Sequence, residues 1–382
     1  MHTGEVVPPP YGGAMDIRAA LVVEQLWQPV PGGSGRYIVE LARELPRVGV
    51  HPVGIAARRG GGSPDDRAVG LDMPVVHSRL PRRALYATWD RLHWPSVDPL
   101  APRAQVVHAT TWAIPPTNRP LVVTVHDTAF LRDPGHFTPH GVDYFTRALE
   151  TTRRRADLVI VPSRATAQDC ESAGIDSERI RVIPHGVRTA PVTAGAVETF
   201  REARGLPRPY ILWVGTREPR KNLPTLLEAY REVSRHSDLD LVLVGPEGWG
   251  DDTAERALLA TLPAGRVHVL GRLEDQDLDA AYAGARVFCF PSSWEGFGLP
   301  VLEAMARGVP VVTSRGTSME EVTGPGAVLI DPASVTEVAA GILEAGGARH
   351  DELAAAGPVR AQEFTWARCA RAHARAYGEL VP

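Results

Sequence analysis

The chain alternates short apolar runs with longer stretches in which apolar residues recur at three- and four-residue intervals. This alternation predicts β-strands joined by amphipathic helices, and so parallel sheets covered by helices on both faces. In the first half, strands are expected at 17–23, 52–56, 106–109, 121–125, 157–161 and 180–183, with helices at 36–47, 141–155 and 164–173. A second series has strands at 210–214, 239–244, 267–270, 287–291, 310–313 and 327–330, and helices at 223–235, 275–283 and 300–307. Between them, residues 188–209 carry Pro191, Gly195, Gly205, Pro207 and Pro209 and read as a linker with a short helix around 197–204. The pattern therefore implies two doubly wound α/β domains, 15–187 and 210–364, after a Pro- and Gly-rich leader at 1–14 expected to be disordered. A last helix, from Trp366 to about Gly378 with Thr365 placed to cap it, has no strand after it and must pack elsewhere; the first domain is one destination.

Composition narrows the function classes. At 382 residues the chain exceeds what one hydrophobic core usually organises. A formal net charge of -4 argues against nucleic acid held by bulk charge. No apolar run approaches the roughly 20 residues needed to cross a bilayer, and the first residues lack a signal core, so a cytoplasmic location is expected. Cys170, Cys289 and Cys369 are far apart and form no CxxC pair, which suits a reducing compartment and offers no zinc site.

The segment 291–310 carries the most chemistry. It follows an apolar strand, turns through Gly296, Phe297 and Gly298, and enters a helix at Leu299 and Pro300. Glu295 then lies on the loop and Glu303 about one turn into the helix. Free N–H groups and the dipole at that helix start can hold a diphosphate, while carboxylates accept hydrogen bonds from vicinal hydroxyls. Glu295 could hold a donor sugar and Glu303 a ribose; the plainer alternative is a solvated loop residue and a first-turn dipole partner. The loop from Gly215 through Thr216 to a possible cap at Asn222 presents Arg217, Arg220 and Lys221, cations suited to a leaving diphosphate or to a solvated basic turn.

Other signals are weaker. Gly32, Gly33, Ser34 and Gly35 follow the first strand, so their backbone can approach a ligand closely or simply turn. Ile38 stands where a dinucleotide fingerprint needs glycine, which disfavours a nicotinamide enzyme. His126 and Asp127 end a strand whose carboxyl edge faces the cleft, although a lone histidine there is more often structural. Asp238 with Asp240, and Asp277 with Asp279, fit a D-x-D metal pattern but read better as solvated carboxylates, and His136 and His140 flank Pro139; no metal is expected. Residues 79–94 mix arginines with aromatics and could meet an anionic membrane, a large acceptor or only their own domain.

Taken in order, 31–37, 125–127, 161–163, 183–187, 214–222, 270–273 and the E-x7-E signature on Glu295 and Glu303 resemble glycosyltransferase family 4 over nearly the whole chain. The resemblance implies a GT-B fold: two Rossmann-like domains around an interdomain cleft, the first binding the acceptor and the second the donor. It implies a nucleotide-diphosphate sugar as co-substrate, no other cofactor, and retention of configuration by same-face attack. By the same resemblance Lys221 contacts the phosphates with Arg220 as helper, and His126 lies near the donor sugar. The glycine loop reaches acceptor or phosphates, and backbone near Leu273 holds the base. Many members carry arginine where this chain has Thr216, so the second cation is Arg217 or Arg220. The phosphate loop looks most like mannosyltransferases, making GDP-mannose the first expectation, with UDP-glucose and UDP-N-acetylglucosamine open. The acceptor would be a glycan, a lipid-linked molecule or a small molecule, with peripheral contact at the inner membrane face through 79–94 also open. A nucleotide-sugar epimerase or hydrolase, or a non-catalytic binder, are the rival readings.

Overall fold

The computed structural model describes residues 16–58, 70–248 and 253–381; the expected leader lies outside them. The first sheet has seven strands, β1 (Ile17–Val22), β2 (Val50–Arg58), β3 (Val75–Pro81), β4 (Val106–Ala109), β5 (Leu121–Thr124), β6 (Leu158–Val161) and β7 (Ile180–Val182), in the order β3-β2-β1-β4-β5-β6-β7. The second has six, β8 (Tyr210–Val214), β9 (Asp240–Val244), β10 (Val267–Gly271), β11 (Val287–Phe290), β12 (Val311–Ser314) and β13 (Val328–Ile330), in the order β10-β9-β8-β11-β12-β13. Every pairing is parallel, as in β1 with β4 and β8 with β11. Central strands such as β6 and β11 are buried along their whole length, which is why they read as unbroken apolar runs rather than alternating ones.

Strand order reverses between β1 and β4 in one sheet and between β8 and β11 in the other. Crevices at such reversals, beyond the carboxyl ends of the strands, are where open α/β sheets bind ligands. The loops after β8 and β11 are the ones carrying Lys221 and Glu295.

Three expectations change. Strand β3 was not expected, and it divides the 79–94 segment: Arg79 to Pro81 end a sheet-edge strand, and a helix covers Arg82–Leu92. That helix buries Leu85 and Trp89 against its own domain, while Leu92 and Trp94 are exposed. The linker helix is longer than expected, Ala194–Arg204, and its Phe200 belongs to the core of the second domain. Asp240 is not a solvated carboxylate: it is buried at the amino end of β9 and meets Arg266 at 3.0 Å and His268 at 3.1 Å.

The closing helix Trp366–Gly378, whose Thr365 side chain accepts from the Arg368 N–H, packs on the first domain. Its Trp366, Ala370, Ala374 and Tyr377 join a buried cluster with Leu21, Tyr37 and Leu41. Tyr37 Oη and His373 Nε2 are 2.8 Å apart, and His108 Nδ1 and Tyr377 Oη 2.7 Å. The chain thus crosses between domains twice, and the crossings touch: the Val187 N–H donates to the Phe364 carbonyl at 3.0 Å. A Cβ on Gly186 would stand 2.2 Å from the Trp366 nitrogen, so only glycine allows that approach.

Candidate active site

A cavity of about 430 Å³ lies between the carboxyl ends of the two sheets. Its wall includes Gly32, Gly33, Ser34 and His126 from the first domain. From the second come Gly215, Thr216, Arg220, Lys221, Leu273, Glu295, Gly296, Phe297, Gly298, Leu299 and Glu303. A larger cavity, about 610 Å³, sits behind it where the two crossings meet. Among the described residues only His185 and Phe297 line both, and Glu295, Glu303 and Lys221 line the smaller one alone, so the smaller cavity is the chemical site.

Glu295 anchors the site. Its Oε1 accepts from Lys221 Nζ at 2.5 Å, from Arg220 Nη1 at 2.8 Å and from the Ser292 hydroxyl at 2.8 Å. Burial by itself would raise this carboxyl; Arg220 and Lys221 outweigh it and hold the group down to about 2. The same burial, with Arg220 alongside, lowers Lys221 from the ordinary lysine range. Glu218 completes the cluster at 3.1 Å from Arg220, and burial raises its carboxyl.

The two loops bearing this cluster are tied together. The Ser293 N–H donates to the Arg220 carbonyl at 2.8 Å, and Asn222 Nδ2 donates to the Pro291 and Pro332 carbonyls at 3.1 Å and 2.6 Å. Asn222 occupies the cap position of the helix Leu223–His236 but makes no side-chain cap bond; its left-handed φ of 53° turns the chain instead.

Glu303 is buried one turn into the helix Leu299–Ala306, and its Oε1 accepts from Arg36 Nη1 at 2.5 Å across the cleft. The domains also meet at Gly296, where an added Cβ would lie 1.7 Å from the His126 carbonyl oxygen. The His126 ring turns back into its own domain: Nε2 donates to the Thr110 carbonyl at 2.9 Å, and Nδ1 stands 3.4 Å from His185 Nε2. Burial holds the imidazole below its usual range. Of the polar atoms of His126, it is therefore the main-chain carbonyl that points at the E-x7-E loop.

Two expected residues lie off the cavity wall. Arg217 pairs with Glu255 at 3.1 Å, leaving Arg220 as the partner of Lys221, and Gly35 is buried beneath Pro31. Arg36, His185, Glu218 and Arg272 do line the cavity and were not singled out. Each lies within a stretch that carries the family resemblance, 31–37, 183–187, 214–222 or 270–273. Among the described residues no group of three His, Cys, Asp or Glu side chains is placed to hold a metal ion, and no helix is long and apolar enough to cross a membrane.

Comparison with known proteins agrees with this arrangement. Residues 31–191 match the family model Glycosyltransferase Family 4, and residues 197–348 match Glycosyl transferases group 1. O-antigen chain mannosyltransferase B of Escherichia coli is 30% identical over 282 residues, covering 71% of this chain and 74% of that protein. The phosphatidyl-myo-inositol mannosyltransferase of Mycobacterium leprae is 26% identical over 375 residues, 91% of this chain and 93% of its own. Among solved structures, Anabaena HepE in complex with UDP and glucose superposes with a TM-score of 0.73 at 20% identity, covering 96% of this chain and 100% of that one. Sucrose-phosphate synthase of Thermosynechococcus elongatus gives 0.76 at 22% identity, over 95% and 99% of the two chains. Two parallel Rossmann-like sheets, a cleft bearing the E-x7-E carboxylates and these matches together make the chain a GT-B glycosyltransferase of family 4.

Proposed function

We propose that the chain transfers mannose from GDP-mannose to a hydroxyl of a glycan, lipid-linked or small-molecule acceptor, with retention of configuration and without a metal ion. The observation carrying this reading is the buried Lys221, Arg220 and Glu295 cluster facing the start of the helix Leu299–Ala306. A diphosphate lying between them meets cations on one side and the helix dipole on the other. Both mannosyltransferase relatives support the sugar, while HepE, solved with UDP and glucose, is the counterexample among the structures.

An exposed carboxylate stands at the base end. Asp275 and Arg272 line the cavity next to Leu273. A carboxylate only accepts hydrogen bonds, so it suits the adjacent N1–H and N2–H donors of guanine better than the acceptor-flanked N3–H of uracil.

Catalysis on this reading is orientation and charge stabilisation. As the glycosidic bond lengthens, charge builds on the diphosphate oxygen, and Lys221 and Arg220 stabilise it more than they stabilise the ground state. That oxygen takes the acceptor proton while the acceptor oxygen bonds to the same face of the anomeric carbon. Glu295 then exchanges its cations for hydroxyls of the donor sugar, and the His126 carbonyl limits the sugar from the first domain. The exposed Leu92 and Trp94 are the side chains through which the first domain would touch a membrane bearing a lipid-linked acceptor.

The test is a donor panel of GDP-mannose, UDP-glucose and UDP-N-acetylglucosamine with mannoside acceptors, in excess EDTA, with the product read by proton NMR. An α-mannoside formed from GDP-mannose in EDTA is the expected result. A β-product, turnover restored only by manganese or magnesium, or turnover only with a UDP donor overturns the corresponding element of the proposal.

A further inference from the structure

The phosphate loop alone brings no surplus charge to a diphosphate. Lys221 and Arg220 face Glu295 and Glu218, two cations against two carboxylates, and Arg217 is turned away to Glu255. Yet a nucleoside diphosphate brings at least two negative charges. A further cation on the cavity wall comes from the opposite domain. Arg36 reaches across the cleft to Glu303 at 2.5 Å and stands 3.9 Å from Asp275. Its helix, Gly32–Glu44, begins with the glycine loop, and an added Cβ on Gly33 would lie 3.3 Å from Leu299 Cδ1, at the start of the helix whose N-terminus faces the cavity. Tyr37, next in sequence, is fully buried and fixed to Thr124 and His373, so the backbone presenting Arg36 is held in place.

We infer that Arg36 is a donor-binding residue supplied by the acceptor-side domain, passing from Glu303 to the diphosphate when the donor enters. The inference rests on the reading of Glu303 as the ribose carboxylate. The guanidinium occupies Glu303 Oε1, one of the two carboxylate oxygens that would accept from the ribose hydroxyls. An exchange leaves neither group unpaired: Glu303 accepts from the ribose, and Arg36 donates to phosphate oxygens in the planar geometry that guanidinium and phosphate share. The Arg36–Glu303 pair is the resting state of this exchange, and donor binding joins the two domains through Arg36.

The experiment compares a nucleoside diphosphate with its parent nucleoside, GDP with guanosine or UDP with uridine, whichever pair the wild-type protein binds, by competition titration. Arg36→Ala is expected to weaken the diphosphate about tenfold or more, the range for a charge-assisted hydrogen bond, and to leave the nucleoside unchanged or slightly tighter because Glu303 is freed. Arg36→Lys should recover part of the loss. Equal weakening of both ligands, or no change in either, overturns the inference, with an unaltered melting temperature excluding misfolding as the cause. Glu303→Gln separates the underlying reading: nucleoside affinity unchanged in that variant defeats the ribose assignment even where the diphosphate-specific loss in Arg36→Ala stands.

Discussion

Lys221 Nζ and Glu295 Oε1 stand 2.5 Å apart in a buried pair, so the cleft holds a main cation and a main carboxylate against each other. Removing one member of a buried pair leaves the other uncompensated, at about 3–5 kcal/mol. Arg220 shares the same carboxylate oxygen but also meets Glu218, so loss of Glu295 strands Lys221 and leaves Arg220 with Glu218 alone, whereas loss of Lys221 leaves Glu295 still paired with Arg220.

Glu295→Ala is therefore expected to lower the melting temperature, and a nucleoside diphosphate, which supplies the missing anion, to restore more of it than it adds to wild type. Turnover should fall while nucleoside diphosphate affinity rises. Glu303→Ala should do the reverse, weakening nucleoside diphosphate binding about tenfold through the lost ribose hydrogen bonds. Thermal shift and titration on both variants check this division; unchanged nucleotide affinity in Glu303→Ala contradicts it.

Gly296→Ala tests the contact between domains. The new methyl would meet the His126 carbonyl at 1.7 Å, a backbone atom that cannot swing aside. The E-x7-E loop must then retreat from the first domain, and a displacement of about 1 Å at a reacting centre costs on the order of a hundredfold in rate. Turnover within a few-fold of wild type would show that the carbonyl does not bound the sugar.

Much of this site was legible because the chemistry sits on loops between apolar strands. Val287–Phe290 reads as a strand since both its faces are covered, and Gly296, Gly298 and Pro300 mark the turn and helix start that place Glu295 and Glu303. What was not legible depends on the other domain. Nothing local distinguishes Arg36 from any first-turn arginine; its partner lies 267 residues away. Arg217 and Arg220 are equivalent in a basic loop until Glu255, on a helix outside that loop, removes one of them. Strand β3 was hidden because an edge strand is only half-buried and carries His77, Ser78 and Arg79.

Acid sensitivity follows from the histidines beneath the site. His108, His126, His185 and His373 are all held below the usual imidazole range, chiefly by burial, and His373 falls to about 4. Between the unfolded value near 6.5 and the folded value, the unfolded chain binds more protons, so stability rises with pH and is lost on acidification. For His373 the window runs from about 6.5 down to about 4, contributing roughly 2 kcal/mol of loss by pH 5. Urea midpoints from pH 7 to 5 should fall for wild type and fall less for His373→Gln. A variant with the wild-type slope would place the sensitivity elsewhere.

On the proposed mechanism Lys221 stabilises charge on the departing diphosphate, and saturation kinetics of Lys221→Ala measure that role. Removal of a donor used mainly in the transition state should lower kcat and kcat/KM together, on the order of a hundredfold or more. A raised KM with kcat near wild type would contradict the account, leaving Lys221 as an anchor for the ground-state donor.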